Sequence, residues 1–256
     1  MAHDKSWEKI FSDYEILKHD FDSSPFTLTA EQIKLSCQDF TKTAEKEVRI
    51  LCKQDSREDR PQIFVENNLF LLPVKNGLYK IIKGEGYVDI PEIKSEPQIY
   101  QSKLGFKLDT SEVGNSEMQH LDFAFASSLI RNFIGDESLV LTIRGRKFTP
   151  KFSFYVGKHL IEVESVQTEV DAGYEGNDKV VLVEAKNSKT NNTIIRQLFY
   201  PFKQWKQFTQ KTIYLIFFEK REDEYFLWQY EFTDENDYNS IRMVKSSKYI
   251  IKGPND

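Results

Sequence analysis

The stretch KVVLVEAKN, at residues 179–187, constrains the fold more than any other part of the sequence, because four successive apolar residues lead directly to Glu184, Ala185 and Lys186. A strand with one face in water alternates apolar and polar residues, whereas a strand covered on both faces is apolar throughout. We therefore expect a central strand in a sheet that has helices on both faces. Because side chains alternate along a strand, Glu184 and Lys186 should lie on the same side at its end, opposite Ala185.

The patterns around this strand predict an α/β domain with a mixed sheet. Residues 116–134 repeat apolar positions at helical spacing and begin with Ser116, a residue type that often caps helices. Residues 193–208 (TIIRQLFYPFKQWKQF) predict a second amphipathic helix. Strands are expected at residues 137–157, as a pair around a basic turn at Gly145, at residues 159–176 as a single strand, and after residue 211.

The first part of the chain predicts a separate, smaller domain. Several helical patterns precede LFLLPVKNGLYKIIK (residues 69–83), where two apolar runs surround Asn76-Gly77, a strong signal for a β-hairpin. Helices followed by a two-stranded hairpin is the order of a winged-helix module, although a purely structural N-terminal lobe is an alternative. We predict a winged-helix-like α+β domain over residues 1–95, a linker over 96–110 and a second domain over 111–256.

Composition narrows the functional classes. No apolar run approaches the roughly 20 residues that cross a bilayer, and the N-terminus lacks the apolar stretch of a signal peptide. The two cysteines, Cys37 and Cys52, form no metal-binding pattern and fit a reducing cytoplasm. The net charge of −5 does not indicate a nucleic-acid binder. It does not exclude one either, because metal-binding carboxylates add negative charge to the total while a local basic surface can still bind nucleic acid.

Three polar residues are expected to converge beside the central strand. Asp171 is expected at the end of the preceding strand, thirteen residues before Glu184 and close to Lys186 if the two strands are neighbours. Two carboxylates and a backbone carbonyl suit Mg²⁺, which prefers oxygen ligands. Such an ion can polarise a phosphodiester, and the lysine can orient or deprotonate water and offset the charge that develops on phosphate.

This ordered set resembles the PD-(D/E)xK nuclease superfamily, and within it a type II restriction endonuclease. Asp171 matches the metal-binding aspartate and EAK matches the (D/E)xK half, whereas Val170 stands where many members have proline. The resemblance covers roughly residues 105–220. It implies a mixed-sheet nuclease core with Asp171, Glu184 and Lys186 as catalytic residues. It further assigns Glu117 as a metal ligand beside Asp171 and Glu184, and Gln197 and Tyr200 as supporting residues.

A few further residues are candidates for contacts outside the catalytic set. Gln167 is a plausible supporting or DNA-contacting residue on the strand that carries Asp171. Basic residues indicate two DNA-binding surfaces: a turn with Arg144, Arg146, Lys147 and Lys151, and an N-terminal surface with Arg57, Arg60, Lys75 and Lys80. The alternative for each cluster is an ordinary solvated turn.

The function expected from these features is Mg²⁺-dependent cleavage of double-stranded DNA at a specific sequence, with Mn²⁺ as a substitute ion. Each chain carries one active centre, so cutting both strands requires a homodimer or two sequential cuts. A DNA methyltransferase is expected as a genetic partner rather than a subunit. Two alternatives stay open: a repair or mobile-element nuclease of the same fold, and a non-catalytic DNA-binding regulator.

Overall fold

The computed structural model describes residues 3–253, apart from the side chain of Glu112. Within these residues the α-helices are α1 (Asp4–Asp13), α2 (Ala30–Ser36), α3 (Thr43–Lys46), α4 (Val48–Leu51), α5 (Gln62–Glu66), α6 (Glu117–Ala126), α7 (Leu129–Ile134) and α8 (Arg196–Lys206). Short 3₁₀ turns lie at Ile16–Lys18, Arg57–Asp59 and Asp109–Glu112.

The strands of the described chain are β1 (Phe26–Thr29), β2 (Leu69–Lys75), β3 (Leu78–Lys83), β4 (Tyr87–Asp89), β5 (Gln98–Gln101), β6 (Val140–Phe148), β7 (Phe152–Val156), β8 (His159–Val163), β9 (Gln167–Glu175), β10 (Lys179–Lys186), β11 (Asn192–Ile194), β12 (Thr212–Arg221), β13 (Glu224–Phe232) and β14 (Ile241–Lys252). Seven of them form the main sheet, in the order β5-β14-β13-β12-β10-β9-β6. Strand β10 is parallel to β12 and antiparallel to β9, so the sheet is mixed, and the predicted α/β class is confirmed.

Helices cover both faces of β10, as its unbroken apolar run predicts. Val181 and Val183 pack in a core cluster with Leu121 of α6, whereas Leu182 packs in another cluster with Leu198 of α8. All six residues from Val180 to Ala185 are buried. Burial on both faces removes each of these side chains from water, which stabilises the strand by the hydrophobic effect and fixes its register.

Several element boundaries differ from the prediction. The expected helix over residues 116–134 is two helices, because Ser128 adopts a left-handed conformation (φ 70°) that ends one helical path and begins another. The expected turn at Gly145 is a bulge inside β6, where Gly145 has a φ of 82° and the pairing with β9 shifts. The single strand expected over 159–176 is interrupted at Ser165, whose φ is 55°, and forms β8 and β9.

The first part of the chain forms a second sheet. Strands β1, β3 and β2 pair antiparallel in that order, and the hairpin predicted at Asn76-Gly77 joins β2 to β3. Helix α2 begins with the expected capping box, in which Thr29 and Gln32 each bond to the other's backbone N–H. This sheet packs on α1, α2 and α5 through a core of its own.

Strand β2 joins the two cores. Leu69 and Leu71 face the N-terminal core, while Phe70, Leu72 and Val74 belong to the same cluster as α8 and β10. The two parts of the chain therefore share buried surface. Their junction is also hydrogen-bonded, since Tyr200 on α8 donates its hydroxyl to the Pro73 carbonyl at 2.9 Å.

The expected linker over residues 96–110 contains a strand. Strand β5 lies within it and pairs parallel to β14 at the edge of the main sheet. Extended residues without a clear apolar pattern are hard to recognise as an edge strand, because an edge strand needs only one partner. None of the helices between residues 3 and 253 combines the length and the apolar character that crossing a membrane requires.

Gly173 in β9 provides a test of this packing, because β9 carries Asp171. A Cβ atom at Gly173 would lie 2.6 Å from the Cβ of Ile143 on β6. We expect Gly173→Ala to lower the free energy of unfolding by about 2 kcal/mol, the usual effect of overpacking, as measured by urea denaturation. Gly105→Ala is the control, since nothing lies within 4 Å of its added Cβ. Equal stability of the two variants would contradict the close approach of β6 and β9.

Candidate active site

Asp171, Glu184 and Lys186 come together on β9 and β10, as expected. The antiparallel register places Ala172 opposite Val183, so Asp171 lies beside Glu184. Asp171 is inside β9 rather than at its end, because the residues that follow it continue to pair with β10. Its Oδ2 accepts a hydrogen bond from the backbone N–H of Ala185 at 2.7 Å. The two strands are thereby held together at the level of the three polar side chains.

The alternation of β9 breaks at Asp171. Val170 packs in the core cluster beneath α8, whereas Ala172, two residues on, packs in the cluster beneath α6. In a regular strand these two residues would lie on the same face. The pairing with β6 shifts at this point, so that Asp171 and Ala172 both lie between the paired residues Val170 and Gly173. The Asp171 carboxylate bonds to β10.

Glu184 and Lys186 form a close ion pair on the same side of β10. Lys186 Nζ lies 2.5 Å from Glu184 Oε1. The side chain of Glu184 is 11% exposed and that of Lys186 is 26% exposed. Charged groups this deeply placed lose much of their hydration, and attraction between them offsets that loss only in part.

The pKa values at the site follow from burial and charge. Burial raises the pKa of Glu184 to about 7, against the opposing effect of Lys186. Burial also raises the pKa of Asp171, although the N–H of Ala185 and the charge of Lys186 oppose the shift. For Lys186, burial favours the neutral amine, but the adjacent carboxylates, Glu184 first, outweigh it and raise the pKa. Lys186 is therefore an ammonium group at neutral pH.

Glu117 contributes to the same site from a different element. It is the first residue of α6, where Ser116 caps the helix by accepting the N–H of Gln119 at 3.2 Å. Its negative charge raises the pKa of both Asp171 and Lys186. Glu117, Asp171, Glu184 and Lys186 all line one cleft.

The cleft lies between the two parts of the chain and has a volume of about 590 Å³. Its N-terminal wall includes Arg49, Lys53 and Lys75, and its opposite wall carries Arg146 and Arg196. The acids Glu117, Asp171 and Glu184 line the same cleft. A cleft with cationic walls and buried carboxylates suits a polyanion whose reacting group meets a metal ion.

The carboxylates of the cleft supply only some of the oxygen ligands that a divalent cation such as Mg²⁺ needs, and water and substrate would supply the rest. Asp171 and Glu184 offer carboxylate oxygens, and Glu117 lines the same cleft. No group of three His, Cys, Asp or Glu side chains within the described residues is close enough to hold a metal ion. Mg²⁺ commonly takes one or two protein carboxylates and completes its shell with water and phosphate oxygens. Asp171 and Glu184 meet that requirement.

The three supporting residues divide between the cleft and the core. Gln197 lines the cleft and accepts a hydrogen bond from the Thr193 hydroxyl. Gln167 lines the cleft and is exposed. Tyr200 is fully buried among aromatic residues and bonds to Pro73. Tyr200 therefore joins the two parts of the chain and has no direct access to the site.

The basic residues of β6 point in different directions. Arg146 lines the cleft and lies 3.1 Å from Glu169. Arg144 is paired with Asp122 of α6 and does not line the cleft. Because Gly145 is a bulge rather than a turn, these side chains belong to an edge strand. Lys147 on β6 is exposed.

Lys151 lies between β7 and its preceding strand. It is exposed, and its Nζ lies 3.4 Å from Glu162 Oε1 on β8. Neither Lys147 nor Lys151 lines the cleft.

Arg57 and Arg60 do not form the free surface that the sequence suggested. Arg60 is 9% exposed and donates to the carbonyls of Leu69 and Arg57. Arg57 bonds to Asp89 at 2.5 Å and pairs with Glu85. Both guanidinium groups also lie within 6.0 Å of the Tyr87 ring centroid. The structure gives no support to a DNA contact by Arg60, because its guanidinium is buried and bonded inside the protein. Arg57 stabilises the junction with β4.

Sequence reasoning missed several cleft residues. Arg49 and Lys53 are four residues apart around α4, and both are exposed. Their spacing of four residues was the available signal for a basic helical face. Gln54 and Arg196 carried no signal in the sequence. Gln54 stands among ordinary polar residues and Arg196 in an amphipathic helix pattern, and both line the cleft only because the two parts of the chain pack together.

Comparison with known proteins places the chain by family. Residues 4–81 match the family model described as Domain of unknown function (DUF6996). Residues 82–250 match the model described as Domain of unknown function (DUF6997). No curated protein and no solved structure matches. The second match covers well over half of this chain, and the chain therefore belongs to the DUF6997 family.

Proposed function

We propose that this protein is a Mg²⁺-dependent DNA endonuclease of the PD-(D/E)xK type, acting as a type II restriction enzyme. The observation that carries the proposal is the convergence of Asp171, Glu184 and Lys186 in one cleft, with Asp171 bonded to the backbone between the other two. Buried charges of this kind contribute little to stability and are a common property of active sites.

The three side chains have distinct roles in this proposal. Asp171 and Glu184 hold the metal ion, with Glu117 as a further carboxylate at the edge of the site. A bound Mg²⁺ supplies a Lewis acid that polarises a phosphodiester oxygen and favours the ionisation of water. Lys186 lies in the same cleft as both carboxylates, 2.5 Å from Glu184 Oε1. It therefore orients the attacking water by hydrogen bonding and offsets charge on the phosphate in the transition state.

The arrangement of the sheet supports a nuclease core. Strands β6, β9 and β10 are consecutive antiparallel neighbours in the sheet, and β12 returns parallel to β10 after α8. Helices α6 and α8 cover opposite faces. This is consistent with the mixed-sheet core that the sequence resemblance implies.

The N-terminal sheet supports a winged-helix-like role. A helix, the strand β1, further helices and the hairpin β2-β3 follow in order, and β1 pairs with β3. In this proposal α3 and α4, rather than the turn with Arg57, face the DNA, because Arg49 and Lys53 line the cleft. Because each chain has one proposed active centre, cleavage of both strands takes two copies or two successive cuts.

The first test of the proposal concerns catalysis. Asp171→Ala and Lys186→Ala should each reduce cleavage of phage DNA in Mg²⁺ by at least 10²-fold, since each removes a group that acts in the transition state. Binding of duplex DNA, measured by gel shift, should change far less. Glu164→Ala is the matched control, because Glu164 is an exposed acid just before the same strand and does not line the cleft. Cleavage at the wild-type rate by Asp171→Ala would refute the assignment.

The second test concerns the metal ion. EDTA should abolish cleavage, Mg²⁺ or Mn²⁺ should restore it, and Ca²⁺ should support binding without cleavage, because Ca²⁺ fills oxygen sites but activates water poorly. Glu117→Gln should raise the Mg²⁺ concentration that gives half-maximal cleavage. An unchanged Mg²⁺ titration would restrict Glu117 to stabilising the first turn of α6.

The third test separates DNA contact from structural support. Lys75→Ala should weaken duplex binding and lower the slope of log affinity against log salt by about 0.9, the effect of one lost phosphate contact. Arg57→Ala should leave that slope unchanged and lower the free energy of unfolding by about 1 kcal/mol, because it removes hydrogen bonds at the junction. Both variants are made in the full chain, since β2 belongs to the shared core. The opposite pattern would return the DNA-contacting role to Arg57.

A further inference from the structure

A buried polar side chain in the cleft has no hydrogen-bond partner. Gln54 is 2% exposed, yet neither its Nε2 nor its Oε1 is bonded to any atom of the described chain. Buried side-chain amides are nearly always satisfied, because an unpaired one loses its bonds to water without replacement. Few other buried polar atoms of the described chain lack a partner, and of these only Arg196 Nε also belongs to a residue that lines the cleft.

Arg196 is the first residue of α8 and lines the same cleft as Gln54. Its guanidinium is only loosely paired, with 3.6 Å between one terminal nitrogen and Asp55 Oδ1. No side chain caps α8, and no acid lies in its first turn. The N–H groups of a first helical turn have no intrahelical partner and carry partial positive charge. In α8 the N–H groups of Leu198 and Phe199 already bond to the Ile195 carbonyl. The start of this eleven-residue helix therefore offers the cleft the full charge of Arg196 and the partial positive charge of its first turn.

These donors are held in place by the junction between the two parts of the chain. The Gln54 carbonyl accepts the Tyr87 hydroxyl at 3.1 Å. The neighbouring Asp55 carbonyl accepts the N–H of Ile194 at 2.8 Å, just before α8 begins. Ile194 itself pairs with Tyr87 across β11 and β4. The loop carrying Gln54 and the start of α8 are therefore fixed relative to each other before any ligand arrives.

We propose that Gln54 and Arg196, at the start of α8, bind a phosphodiester group of the DNA strand adjacent to the group that is cut. Donors and positive charge select an anion. The location of the site places this phosphate next to the one that is cut, because Gln197, in the same helical turn as Arg196, lines a small cavity together with Glu184. This inference rests on the proposed nuclease function, and it adds a second phosphate site whose residues lie outside the catalytic set.

The experiment measures binding of a fluorescein-labelled 20-base-pair duplex to the full chain by anisotropy, in EDTA and over a series of salt concentrations. Arg196→Met should weaken binding roughly tenfold, the effect of losing a charged hydrogen bond, and lower the salt slope by about 0.9. Gln54→Leu should weaken binding several-fold with an unchanged slope, because a neutral amide releases no counterion. Gln54→Leu should also keep or gain thermal stability, because it removes an unpaired buried amide.

Arg242→Met is the matched control, since Arg242 is an exposed arginine on β14 that pairs with Glu231 and does not line the cleft. Should Arg196→Met fail to fold, Arg196→Lys keeps the charge and should retain the slope while losing affinity. Affinities and slopes of Arg196 and Gln54 variants equal to those of Arg242→Met would overturn the phosphate site.

The same design separates this inference from the proposed function. A wild-type chain that binds and cuts DNA, with Arg196 and Gln54 variants that behave like the control, removes only the second phosphate site. A wild-type chain that binds no duplex removes both. If inorganic phosphate raises the melting temperature of the wild type but not of Arg196→Met, while DNA affinities are equal, the site binds free phosphate and the strand assignment is wrong.

Discussion

The position of β10 between β9 and β12 is the constraint on which the rest of the structure depends. Its apolar side chains alternate between two cores, one beneath α6 and one beneath α8. That double burial leaves a single register available, because a shift by one residue would move Glu184 into the core and Val183 into the cleft. The bond from the Ala185 N–H to Asp171 then ties β9 to the same level. Packing thus brings the side chains of Asp171, Glu184 and Lys186 together at one level of the sheet.

The junction between the two parts of the chain makes the cleft. Strand β2 is buried on both faces, toward the N-terminal core and toward α8. The N-terminal part of the chain is thus packed against the α/β core rather than tethered to it. The same contacts hold the loop with Gln54 against the start of α8. Residues far apart in sequence consequently face one cleft, with cations on both walls and carboxylates between them.

Charge is distributed in a way that composition conceals. The chain is acidic overall, at −5, yet Arg49, Lys53 and Lys75 face Arg146 and Arg196 across the cleft. Other arginines serve the fold: Arg60 donates to buried carbonyls and Arg144 pairs with α6. Net charge sums over both kinds of residue. Only the location of each charge separates a surface that attracts a polyanion from one that stabilises a junction.

Local physics allowed the sequence by itself to determine the α/β class, the hairpin at Asn76-Gly77, the caps at Thr29 and Ser116, and the shared side of Glu184 and Lys186. These features depend on periodicity, turn conformation and contacts within about four residues, and residues close together in the sequence determine all three. Only the tertiary structure decided that Asp171 bonds to the Ala185 N–H, that Arg60 is internal, that residues 98–101 complete the sheet, and that Gln54 and Arg196 line one cleft. Each of these depends on contacts between segments distant in sequence, where packing overrides local preference, and no spacing rule encodes such contacts.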